Sequence, residues 1–144
     1  MNSRRFLIIA CTSVLLTVSS PWAAVEVAGG FILGEPTGFS LRIEKFPVLS
    51  FGWSLTHDWM YVNCDYWIIN KLIPDSRDLY WYLGVGGAIG AGGSHGFLGC
   101  RVPIGLQAIL ERRFELFGEL APGIGIMPDV NMFLNGGIGF RYIF

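Results

Sequence analysis

Met132-Phe-Leu-Asn-Gly-Gly-Ile-Gly-Phe-Arg-Tyr-Ile-Phe144 decides the fold. Read in twos, Met132, Leu134, Gly136, Ile138, Phe140, Tyr142 and Phe144 share one face. Phe133, Asn135, Gly137, Gly139, Arg141 and Ile143 share the other. Side chains alternate across a strand, so this segment has one greasy, aromatic face and one carrying an arginine, an asparagine and glycines. The sequence stops on phenylalanine. A strand whose outer face meets lipid suits that ending better than one whose outer face meets water.

The same period runs upstream. Val25–Leu33 is the first candidate strand, closed by the turn Glu35-Pro36-Thr37-Gly38. In Phe39–Phe46, Phe39, Leu41 and Ile43 alternate with Ser40, Arg42 and Glu44. After Pro47, Leu49, Phe51, Trp53 and Leu55 alternate with Ser50, Gly52, Ser54 and Thr56, a pattern a helix cannot produce. Trp59–Leu72 follows the reversal at His57-Asp58, with Met60, Val62, Cys64, Tyr66 and Ile68 opposite Tyr61, Asn63, Asp65 and Trp67. The fifth strand sets Leu79, Trp81, Leu83, Val85 and Ile89 against Tyr80, Tyr82, Gly84, Gly86, Ala88 and Gly90. The sixth sets Leu98, Cys100, Val102, Ile104, Leu106 and Ala108 against Gly99, Arg101, Pro103, Gly105 and Gln107. In the seventh, Phe114, Leu116, Leu120, Ile124 and Ile126 oppose Glu115, Phe117, Glu119 and Ala121.

Eight such strands joined by short reversals predict an all-β fold: an eight-stranded antiparallel up-and-down transmembrane β-barrel. A glycine-rich spanning helix over Leu83–Gly93 is disfavoured, since each glycine costs about 1 kcal/mol relative to alanine. A soluble β-sandwich also alternates, but its outward face would be polar rather than aromatic.

The chain divides into residues 1–24, a signal peptide, and residues 25–144, the barrel. Arg4 and Arg5 form a basic start, Phe6–Val18 an apolar core, and Ser19–Ala24 a cleavage region. Ile8-Ile9-Ala10-Cys11 is similar to a lipoprotein box, but the apolar run continues past Cys11. Without Arg4 and Arg5, eight basic residues face eleven acids, a net of −3. That balance lacks the basic footprint of a nucleic-acid binder. Cys64 and Cys100 fall on apolar faces of strands that are not neighbours, which favours free thiols over a disulfide.

An eight-stranded barrel is filled by its own side chains. The expected inward polar set is Arg42, Glu44, Asn63, Asp65, Arg101, Gln107, Glu115, Glu119, Asn135 and Arg141. Arginines and carboxylates in such a lumen should pair, because an unpaired buried charge is costly. Glu119 with Arg141 is the first pair expected, and Glu26 could also reach Arg141 on closure. Gly84, Gly86, Gly105, Gly123, Gly137 and Gly139 leave room for the long side chains. Trp59 and Trp81, with Trp53, Trp67, Tyr142 and Phe144, suit aromatic girdles at strand ends, although Trp53 and Trp67 also suit ordinary packing.

These features resemble small bacterial outer-membrane β-barrel proteins of the eight-stranded type, a group that includes families of unassigned function. The resemblance spans Val25–Phe144. It implies that the last strand, through Gly139, Tyr142 and Phe144, is the signal read by the barrel-assembly machinery. Gly137 departs from the pattern, standing where a polar residue is usual. The implied partners are outer-membrane lipids and that machinery, and the implied place is the bacterial outer membrane. A structural or envelope-interaction role with a plugged lumen follows, with no cofactor.

Two other functions compete. Ser54 with His57, and Ser94 with His95, are the only serine–histidine neighbours for a lipid A-modifying enzyme, and neither stands in a nucleophile pattern. His57 and His95 alone make no metal site. Pro103 and Pro122 each remove a ladder donor, so a lateral seam there could pass small hydrophobic molecules.

Overall fold

A computed structural model describes residues 25–93 and 95–144. The proposed signal peptide and Ser94 lie outside the described residues. The strands are β1 (Val27–Glu35), β2 (Thr37–Ile43), β3 (Val48–Ser54), β4 (Trp59–Leu72) and β5 (Leu79–Gly92). They continue as β6 (His95–Arg101), β7 (Ile104–Leu110), β8 (Phe114–Met127) and β9 (Asn131–Ile143). Residues 83–92, weighed above as a helix, are strand.

All neighbouring strands pair antiparallel, and β1 pairs with β9 to close the barrel. Nine segments make eight staves, because β6 and β7 are one stave interrupted at Val102-Pro103. β5 pairs with both halves in unbroken register, from Gly86↔Arg101 to Leu83↔Ile104. The interruption has a simple cause. Gly84 N–H donates to the Pro103 carbonyl at 2.8 Å, and Val102 N–H donates to the Pro122 carbonyl at 2.9 Å. Neither proline has an N–H to return the second bond of its pair. One bond therefore remains on each flank of the stave.

Two strand boundaries and one strand interior differ from the sequence reading. The first turn is tighter, since the β1–β9 ladder runs on to Glu35↔Gly136 and β2 already starts at Thr37. Thr37 Oγ1 accepts from Gly34 N–H at 3.0 Å and donates to the Gly34 carbonyl at 2.8 Å, which locks the reversal. Gly34 adopts φ 155°, and a Cβ there would overlap the Gly136 backbone. β2 ends at Ile43, and Glu44 takes a left-handed turn conformation at φ 49°. β4 carries an irregularity between Trp67 and Ile69.

The faces sort by chemistry. Outward lie apolar side chains such as Phe31, Leu33, Phe39, Val85, Leu120 and Ile138, all exposed. Inward lie the buried polar and charged side chains, together with Trp67, Tyr82 and Phe117. The inward glycines stand where these side chains need volume. A Cβ on Gly139 would overlap the Phe117 ring, and one on Gly86 would overlap the Asp65 carboxylate.

The two ends of the barrel differ. The base carries the turns at residues 44–47, 73–78 and 111–113, and the mouth carries those at 55–58 and 128–130 together with Pro36 and Gly93.

Candidate functional site in the barrel lumen

Two ion-pair clusters fill the lumen. The first is centred on Glu115, which is fully buried. Arg42 donates to Glu115 Oε2 through Nε at 3.0 Å and Nη2 at 2.7 Å. Arg141 Nη1 donates to the other oxygen, Oε1, at 2.5 Å. One carboxylate thus bridges two guanidinium groups. Arg42 Nη2 also reaches Glu26 Oε1 at 2.6 Å, and Arg42 Nη1 donates to the Glu44 carbonyl at 3.1 Å. Arg141 donates to Ser40 Oγ from Nε at 3.0 Å and Nη2 at 2.8 Å. Two arginines therefore balance two carboxylates, and the remaining donors find oxygen acceptors, as burial of charge requires.

Aromatic rings lie against these guanidinium groups. Arg141 Cζ sits 3.7 Å from the Phe117 ring centroid, and Arg42 Cζ sits 5.6 Å from the Trp67 ring. Trp67 stacks on Tyr82 with centroids 4.1 Å apart. Both rings are fully buried, and with Val48 they form the apolar middle of the lumen.

The second cluster is centred on Arg101. Its Nη2 pairs with Glu119 Oε1, and its Nε lies 3.1 Å from Asp65 Oδ1. Tyr82 OH donates to Glu119 Oε2 at 2.8 Å, and Asn63 Nδ2 donates to Asp65 Oδ2 at 2.8 Å. Above it, Asn135 Nδ2 donates to Tyr61 OH.

Arg42, Asn63, Asp65, Arg101, Gln107, Glu115, Glu119, Asn135 and Arg141 are all buried inside. Glu44 is not among them. Strand parity assigns it inward only if β2 continues, and the turn at Ile43 swings its side chain into the open at the base. Glu26, half exposed, supplies the fourth carboxylate instead, and its partner is Arg42 rather than Arg141. The expected Glu119–Arg141 pair is also replaced. The β8–β9 register sets Arg141 opposite Glu115 and Glu119 opposite Gly137, which leaves Glu119 to Arg101. Strand adjacency was readable in the sequence, whereas the register was not.

Trp59 is a further correction. It does not stand on the outer face but points into the mouth, between His57 and Phe97 at centroid distances of 5.0 and 5.6 Å. Its parity with Tyr61 and Asn63 carried that signal. Trp81 does face outward, partly exposed beside Ile104, Leu106 and Ile138. Gly139, Tyr142 and Phe144 lie on β9 and just beyond it; Tyr142 packs edge-on against both Phe114 and Phe144.

The folded chain brings Ser54 and His57 together at the mouth, without arming the serine. Ser54 Oγ donates to Glu35, whose other oxygen accepts from Leu55 N–H at 2.9 Å. His57 Nδ1 is 2.8 Å from Thr56 Oγ1 and 3.4 Å from Ser54 Oγ. Ser54 also accepts the His57 backbone N–H at 3.2 Å, so its hydroxyl knits two hairpins together. Among the described residues, no group of three or more His, Cys, Asp or Glu side chains could hold a metal ion. Cys64 and Cys100 are free thiols on the outer wall, either side of Gly87.

Comparison with family models, curated proteins and solved structures finds no match to this chain.

Proposed function

We propose that this chain is a bacterial outer-membrane β-barrel with a structural or envelope-interaction role, its lumen sealed against ions. One observation carries the reading: the barrel is polar inside and apolar outside. Ile138 is 72% exposed on the outer face, while Arg141, three positions on, is 1% exposed within. Water would penalise that outer face, and a hydrocarbon layer would not. Strands of 13 or 14 residues in β4, β5, β8 and β9 exceed the ~9–11 needed to cross a bilayer at a tilt.

Sealing follows from the side chains already described. The two clusters and the Trp67–Tyr82 stack occupy successive levels between base and mouth. An ion would have to break paired, desolvated charges to pass. Purified protein in planar bilayers is expected to show no stable conductance above background, and its folded form should shift in gel mobility on boiling. Reproducible channel steps would overturn the sealed lumen; an unheated band that does not shift, together with recovery outside the outer-membrane fraction, would overturn the placement.

The expected partners are outer-membrane lipids and, during insertion, the barrel-assembly machinery. Phe144 supports the second. Its side chain is exposed, while its backbone N–H donates to the Val27 carbonyl at 2.9 Å across the closing seam. Deleting Phe144 is therefore expected to slow insertion in cells while sparing the lumen. Pulse-chase assembly measured by the heat-shifted band tests this, and unchanged insertion would count against it.

Passage of hydrophobic molecules at Pro103 and Pro122 receives less support. Pro103 is buried, and the Arg101–Glu119 pair lies behind the seam rather than an apolar chamber. A lipid A-modifying enzyme likewise lacks support from Ser54, whose hydroxyl is committed to Glu35.

A further inference from the structure

The mouth holds a recess that the sealed lumen does not explain. Its floor is aromatic: Trp59, Tyr61, Phe97 and Phe133 line it, with Phe97 at the centre. Phe97 meets Phe133 edge-on at 5.0 Å and lies 6.3 Å from Tyr61. Its wall carries Glu35 and His57. Glu35 is held in place by Ser54 and Leu55, one bond to each oxygen. A carboxylate offers about four lone-pair sites, so acceptor capacity remains.

Charge is distributed unevenly along the barrel. The base and its flanking strand ends carry Lys45, Lys71, Arg77, Arg112 and Arg113, nearly balanced by Glu44, Asp75, Asp78 and Glu111. Among the described residues, the mouth turns carry no lysine or arginine; their charged residues are Glu35 at the end of β1, Asp58 and Asp129. The aromatic recess therefore opens into a region of negative potential. Aromatic faces present negative charge to a ligand, and a nearby carboxylate adds to it. An anion is repelled here, and a neutral molecule gains no charge attraction from Glu35.

We propose that the mouth recess binds a small organic ammonium ion, its alkyl groups against the aromatic floor and its charge balanced by Glu35. The inference goes beyond the sealed-barrel reading and rests on the recess alone. An alkylated ammonium suits it better than a metal ion, because soft ring faces and one carboxylate replace no metal ion's hydration shell. The same rings reward the apolar surface that surrounds a quaternary nitrogen.

Choline and its uncharged isostere 3,3-dimethylbutan-1-ol separate the charge from the shape. Titrated into the full refolded barrel and followed by calorimetry and by NMR of the aromatic signals, choline should bind saturably. The alcohol should bind roughly tenfold more weakly or not at all. Glu35→Gln keeps one acceptor oxygen for Leu55 N–H, while its amide NH2 can donate to Ser54 Oγ; it should weaken choline about tenfold, with no change toward the alcohol. Phe133→Leu should weaken both. Each variant is checked for the heat-shifted band first. If Glu35→Gln does not fold, the wild-type comparison of choline with its isostere still decides. Equal binding of the two, unaltered choline binding in Glu35→Gln, or absence of saturable choline binding would each overturn the proposal. Preference for a neutral sugar over choline would do the same.

Discussion

Replacing Glu115 with alanine is expected to cost about 3–5 kcal/mol of stability, because it strands two buried guanidinium groups at once. Arg42 and Arg141 lose the carboxylate they share, and neither can turn to water from inside the lumen. Arg42 retains Glu26, which is half exposed, and Arg141 retains no carboxylate, only Ser40 and the rings of Phe117 and Trp67. Urea unfolding of the refolded barrel, followed by tryptophan fluorescence, measures the loss. Glu115→Gln should cost less, since it preserves an acceptor for one arginine. A combined Glu115→Leu, Arg42→Met and Arg141→Met variant should recover most of the stability, as removal of a whole buried ion cluster often does. If the single alanine change costs less than about 1 kcal/mol, the cluster does not hold the lumen together.

The same logic separates the observed pairing from the one that strand adjacency suggests. A double-mutant cycle between Glu115 and Arg141 should return a coupling of about 0.5–3 kcal/mol, the range for contacting residues. Glu119 and Arg141 should be additive within roughly 0.5 kcal/mol. Coupling of Glu119 to Arg101 should be as large as that of Glu115 to Arg141, because both pairs are desolvated and share geometry of the same quality.

Period two made the architecture legible. Alternation through residues 49–56, 60–68, 79–90, 98–108 and 114–126 assigns inner and outer faces that the barrel keeps, including Asn63, Asp65, Gln107 and Glu119 inside. What alternation lacks is phase between strands and knowledge of where each strand stops. Parity sets Glu44 inward because nothing in Arg42-Ile43-Glu44-Lys45 announces a turn one residue after Ile43; only its left-handed backbone does. Parity pairs Arg141 with Glu119 because both stand inward on adjoining strands, and a shift of four residues between them leaves no trace in either sequence. The prolines were visible, but their consequence was not. Pro103 and Pro122 act on opposite flanks of one stave, which splits β6 from β7 while the register carries through. The aromatic filling is legible by parity alone: Trp67, Tyr82 and Phe117 stand on inner faces, although an aromatic on an inner face does not by itself show which guanidinium it meets.

Trp67→Ala is the second change with a large expected effect, about 3–5 kcal/mol. Trp67 is fully buried and is the largest side chain in the lumen. Its removal leaves a void between Tyr82 and Val48 and takes away the surface beneath Arg42 and Arg141. The space has no simple way to collapse, since the surrounding ladder fixes the barrel's width. Gly84, whose missing side chain leaves room beside the indole, deepens the hole rather than filling it. Two comparisons make the prediction specific. Trp53→Ala, on the outer face and 47% exposed, should cost distinctly less in the same unfolding assay. Trp67→Phe should cost only about 1 kcal/mol, because the lost volume is offset by removing a buried N–H. Among the described residues, the Trp67 Nε1 donor has no hydrogen-bond partner. Phenylalanine can still stack on Tyr82 and still face both guanidinium groups, whereas alanine can do neither. If Trp67→Phe proves as damaging as Trp67→Ala, the indole N–H has a partner that this packing does not account for. If Trp53→Ala proves as damaging, the barrel draws its stability from its outer wall rather than from the stack at its centre.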